Sequence, residues 1–193
     1  AVQAMYPIKG KRTRHYAFYD ELDIKQLSED RLMEDVFEDA LKNGEFQLWY
    51  QPKVDPVTGN ILGAEALIRW KRPDGTMLSP GKFIPLFEKN GNITTLDEYV
   101  FRTVCAQQQR WLQAGAKLYP ISVNISRVSL YYSNVVDKYR EILNSFRLDP
   151  KYVPLEITES ATIDNSDISS LIDQFHEAGF TLLLDDFGSG YSS

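Results

Sequence analysis

The chain has 193 residues, 43% hydrophobic and 25% charged, enough apolar material for a sizeable folded core. Its formal charge of -6, from 21 basic and 27 acidic side chains, excludes the electrostatic footprint of a duplex nucleic-acid binder, and a phosphate-bearing ligand would need local positive groups. A single cysteine, Cys105, excludes an internal disulfide framework, and with only His15 and His176 a His/Cys zinc site or a His-based dyad is not expected.

Residues 1–20 carry too little apolar surface for a core of their own and read as the tail of something larger; the basic run Lys9 to Arg14 reads as a solvated segment. Residues 21–27 read as a linker running into an amphipathic helix, with Ser28 as its cap and its end near Gly44. Phe46 to Val54 alternates apolar with polar side chains, and Pro56 to Asn60 turns it back into Ile61 to Trp70, which makes an antiparallel hairpin. Beyond the turn Arg72-Pro73-Asp74-Gly75, helices are predicted at about 82–90 and 95–114, then strand 121–126, helix 133–146, strand 153–158, helix 166–178 and strand 181–186. Repeated strand and helix order predicts a parallel sheet or a (β/α) barrel.

No apolar run approaches the roughly 20 residues of a membrane span, so the segment is expected to be cytoplasmic, without membrane contact of its own. A complete barrel of this class takes about 250 residues and eight strands. Five strand candidates from Phe46 onward, and a stop just after a strand, suggest a piece of a longer polypeptide.

Glu65, Asn124, Glu156, Asp185 and Asp186 each fall at or near the end of a strand-like run. In a parallel array those ends open on one face, so residues far apart in sequence converge. Carboxylates gathered there repel one another unless cations offset their charge, and oxygen ligands, including the Asn124 amide, select hard ions such as Mg²⁺ or Mn²⁺. Taken singly, each has a plainer reading: a salt-bridge partner for Glu65, a backbone-satisfying amide for Asn124, a helix cap for Asp185-Asp186. The combination carries the metal reading.

Gln51-Pro52, Glu65-Ala66-Leu67 with Ile68-Arg69-Trp70, Asn124-Ile125-Ser126, Glu156-Ile157-Thr158-Glu159-Ser160 and Asp185-Asp186-Phe187-Gly188-Ser189-Gly190 together resemble the EAL domain of cyclic di-GMP phosphodiesterases, over residues 28–193. Ala4-Met5-Tyr6, Lys9-Gly10-Lys11-Arg12 and Tyr16 to Asp20 resemble the C-terminal tail of a GGDEF diguanylate cyclase domain. The resemblance implies a TIM-like (β/α)8 barrel with an antiparallel first strand, about five of its strands lying in this chain, and hydrolysis of cyclic di-GMP to linear pGpG with two divalent cations, Mg²⁺ or Mn²⁺. It implies that Glu65, Asn124, Glu156 and Asp185 hold one ion, that Asp185 and Asp186 hold a second, and that Gln51, Leu67 and Arg69 contact substrate, with Glu159 steadying the loop after Asp186. The partners implied are cyclic di-GMP, an upstream GGDEF domain in the same chain and a second copy of the EAL domain; duplex nucleic acid is not among them. The family also uses a Lys and a Glu downstream of the Asp-Asp motif, neither of which lies in these 193 residues. Two rival readings stay open at this stage: a catalytically silent EAL module serving as a cyclic di-GMP receptor or protein-interaction regulator, and a barrel whose acids are merely structural.

Overall fold

A computed structural model describes residues 21–132, 134–158 and 166–185. The chain begins there with helix α1 (Glu21–Lys42) and a hairpin of β1 (Phe46–Val54) and β2 (Ile61–Lys71), with the short β3 (Met77–Leu78) on the far edge of β2. Helices α2 (Pro80–Asn90) and α3 (Asn92–Gln113) follow, then β4 (Ile121–Asn124), α4 (Arg127–Leu130), α5 (Val135–Phe146), a 3₁₀ turn (Pro150–Tyr152), β5 (Leu155–Thr158), α6 (Ser166–Glu177) and β6 (Leu182–Asp185).

The six strands form one mixed sheet in the order β1-β2-β4-β5-β6, with β3 beside β2. β1 runs antiparallel to β2, as the hairpin pattern predicts, whereas β2, β4, β5 and β6 are mutually parallel. Two features differ from the sequence reading. Among the described residues the two-residue β3 makes six strands where about five were expected, being too short to show any periodicity. Ser28 lies inside α1 and caps nothing, because the helix already runs through residues 21–27, so the segment read as a linker takes helical form.

One face of the sheet carries the main core. Ala66, Ile121, Val123, Leu155 and Ile157 pack there against Phe101, Val104 and Cys105 of α3, Tyr139, Ile142 and Leu143 of α5, and Phe175 of α6. A second, aromatic cluster joins the start of β1 and the end of β2 to α1 and α2: Phe37, Ala40, Phe46, Trp70, Phe83 and Phe87 are at most 2% exposed. The α1 contribution follows from Met33, Val36, Phe37, Ala40 and Leu41 at helical spacing on one face. Gly91, in the left-handed conformation at φ 88°, stops α2 and turns the chain into α3. Gln108, fully buried on α3, donates its amide to Tyr119 O at 2.7 Å and Tyr152 O at 3.0 Å, tying the segments that lead into β4 and β5 to one helix. Among the described residues no helix is long and apolar enough to cross a membrane.

Candidate metal and phosphodiester site

Strand alternation assigns the side chains to two faces. On β1 and β2, Phe46, Leu48 and Tyr50 pair with Trp70, Ile68 and Ala66 on the core face; Trp49, Gln51 and Lys53 pair with Leu67, Glu65 and Gly63 on the other. The parallel ladders extend that second face through Ser122, Asn124, Glu156 and Thr158 to Asp185, since Glu65 is level with Ser122, Asn124 with Glu156, and Thr158 with Asp185. Residues as far apart in sequence as Trp49 and Asp185 thus share one surface, because each strand must bury its other face against the helices.

On that surface Glu65, Glu156 and Asp185 each place a carboxylate oxygen within 4.8 Å of the other two. Asn124 joins them, its amide nitrogen donating to Glu65 Oε1 at 2.8 Å. The donor set fits a hard divalent cation: three carboxylates supply the charge and the remaining amide oxygen of Asn124 a neutral ligand. Four residues expected to converge therefore do so. Glu156 is the most enclosed, 5% exposed, and its Oε1 forms an ion pair with the Lys53 ammonium. Lys53 also donates to Ser122 Oγ at 2.9 Å, and that hydroxyl donates to the Ala64 carbonyl at 3.2 Å.

The remaining expected residues are placed less uniformly. Gln51 sits directly opposite Glu65 in the hairpin register. Leu67 and Arg69 line a cleft of about 270 Å³ together with Asn124, Ser126 and Thr158. Arg69 donates to the Ile68 carbonyl at 2.8 Å, and its guanidinium lies 5.9 Å from the Trp49 ring centre. Asp186, Glu159 and the stretch from Phe187 to Ser193 lie outside the described residues, as do residues 1–20.

Two supports of the site were missed in the sequence. Lys53 was legible, because the alternation that puts Gln51 beside Glu65 puts Lys53 on the same face two residues later. Asp97 announces itself more quietly, as the one acid within the apolar stripe of Ile93, Leu96, Val100 and Val104 on α3. Its Oδ2 accepts from Ser126 N at 2.9 Å and Ser129 Oγ at 2.6 Å, so it fixes the chain immediately after Asn124. Burial pushes its carboxyl up to about 6, against the opposing effect of the hydrogen bonds from Ser129 and Ser126.

Residues 34–193 match the family model described as EAL domain. The chain is 35% identical over 98% of its length to the bifunctional diguanylate cyclase/cyclic di-GMP phosphodiesterase MucR of Pseudomonas aeruginosa, covering 28% of that protein. It is 32% identical, again over 98% of its length, to the cyclic di-GMP phosphodiesterase PdeR of Escherichia coli strain K12, covering 29% of it. The chain thus spans under a third of the length of these curated relatives. Among solved structures, the PaMucR phosphodiesterase in complex with c-di-GMP superposes with a TM-score of 0.77 at 36% identity, covering 84% of this chain and 66% of that one.

Proposed function

The chain belongs to the EAL domain family, and from that membership we propose that the intact protein hydrolyses cyclic di-GMP to linear pGpG. The observation that carries this reading is the meeting of Glu65, Asn124, Glu156 and Asp185 on one face of the sheet. In this proposal the described strands belong to a (β/α)8 barrel, with the cluster at the mouth formed by the C-terminal ends of β2, β4, β5 and β6. Residues 1–20 are the tail of a GGDEF domain, residues 21–27 the connection, and residues 28–193 part of the EAL domain; a second EAL copy is a further partner, and the setting is cytoplasmic.

Glu65, Asn124, Glu156 and Asp185 would hold one divalent cation, Mg²⁺ or Mn²⁺, and Asp185 with Asp186 a second. Bound there, the ions supply positive charge beside the reacting phosphate and lower the pKa of water. The chain's own part is placement. Arg69 offers a planar fork to two phosphate oxygens, Leu67 and Gln51 flank the ligand, and Glu159 steadies the loop beyond Asp186. Water adds to phosphorus and the P–O3′ bond breaks, leaving a 5′-phosphate and a 3′-hydroxyl on one linear dinucleotide.

The test is chromatography of cyclic di-GMP incubated with the intact protein, with Mn²⁺ or Mg²⁺ and then with chelator. Linear product that disappears on chelation is expected. Intact ligand that nevertheless remains bound to the protein would replace the enzyme with a receptor.

A further inference from the structure

Lys53 plays no part in the chemistry described above, yet it occupies the best-enclosed carboxylate of the cluster. Its position in the register is informative. Lys53 pairs with Gly63, one step of the same face below Glu65 and Ser122, while Asp185 and Thr158 lie at the opposite end of the parallel strands. The lysine therefore reaches the cluster from beneath, away from the ends of β4, β5 and β6. Its ammonium is held by two acceptors on different strands, Glu156 on β5 and Ser122 on β4, which are 5% and 2% exposed. A charge enclosed as Glu156 is needs a partner, and three carboxylates within 4.8 Å of one another raise that need.

We propose that Lys53 is a resident counter-cation and positioning residue: it holds the Glu156 carboxylate in place when no divalent ion is bound, and its charge weakens the site's affinity for that ion. The proposal rests on the reading that the cluster binds divalent cations. Two consequences follow from Coulomb's law at short range. Removing the ammonium takes away the counter-charge of the enclosed Glu156 carboxylate, which destabilises the ion-free protein. It also removes a like charge from the neighbourhood of the incoming ion, which tightens binding.

The experiment is calorimetric titration of Mn²⁺ into the ion-free intact protein, wild type, Lys53→Met and Lys53→Arg, with melting temperatures measured with and without Mn²⁺. Lys53→Met is expected to bind Mn²⁺ about tenfold more tightly and, ion-free, to melt about 4 °C lower, with most of that deficit restored by Mn²⁺. Lys53→Arg, which keeps the charge, is expected to retain wild-type affinity. Should Lys53→Met fail to fold without the ion, Ser122→Ala removes one anchor of the ammonium while keeping its charge, and a smaller tightening is expected. Equal or weaker affinity in Lys53→Met, or unchanged affinity in Ser122→Ala, overturns the role of Lys53 alone. A wild type that binds no Mn²⁺ removes the cation reading together with it.

Discussion

At the scale of single residues, charge and burial make opposite demands at Glu65 and Asp97. Glu65 sits among like charges, so its loss should relieve repulsion while removing a ligand. Glu65→Ala is expected to lower turnover of cyclic di-GMP more than about 100-fold while leaving the melting temperature in chelator unchanged or raised; near-normal turnover would remove Glu65 from the site. Asp97 is buried against Ser126 and Ser129 and is neutral more readily than an ordinary aspartate, its carboxyl pushed up to about 6 from 3.8. The folded value is the higher one, so folding is unpenalised while the unfolded carboxyl is also protonated, and the penalty grows as pH rises from the unfolded value through about 6. The displacement corresponds to about 3 kcal/mol. The hydrogen bonds from Ser126 N and Ser129 Oγ both fall on Oδ2, so the amide oxygen of Asn can accept both. Asp97→Asn should thus gain stability relative to wild type as pH is raised from about 3.5 to 7, read from denaturant unfolding at each pH; parallel profiles would contradict the assignment.

At the scale of elements, the hairpin and its junction with β4 set the register that brings the ligands together. Gly63 makes this possible, because a Cβ there would stand 2.6 Å from the Pro120 carbonyl oxygen, which also accepts from Ala64 N at 2.9 Å. Gly63→Ala is expected to destabilise the fold by about 1–3 kcal/mol in equilibrium unfolding, since backbone has to give way; a neutral effect would show that the β2–β4 contact is looser than described. Most of these elements were legible from period and turn chemistry, as in Phe46 to Trp70 with its Pro56 to Asn60 turn, where alternation is long and the punctuation strong. The cluster was legible as residues but not as geometry: nothing in the letters states that Asn124 meets Glu65 or that Lys53 meets Glu156, because those contacts come from inter-strand register. Short elements such as β3 and α4 escaped because two or four residues carry no period. Ser28 misled because a good capping residue is also tolerated inside a helix that tertiary packing extends past it.

At the scale of the whole molecule, the two apolar clusters share Ile68 and Tyr99, which pack against both, and this should make them unfold together. Trp70 is the centre of the second cluster: it is fully buried, contacts the rings of Phe46, Phe83 and Phe87, and donates its indole N–H to Glu45 Oε2 at 2.9 Å. Trp70→Ala is expected to cost about 3–5 kcal/mol, with coincident transitions by circular dichroism and fluorescence; two separated transitions would mean that α1 and α2 form an independent unit. That rigidity underlies the functional account, since a sheet anchored on its core face holds its other face in fixed register. Glu65, Asn124, Glu156 and Asp185 are expected to bind a divalent cation jointly. The most direct measurement is anomalous scattering from crystals of the protein grown with Mn²⁺. A peak within about 2.5 Å of oxygen atoms from all four residues is predicted. No peak at the cluster in crystals saturated with the ion, or a peak held by other side chains, would contradict it.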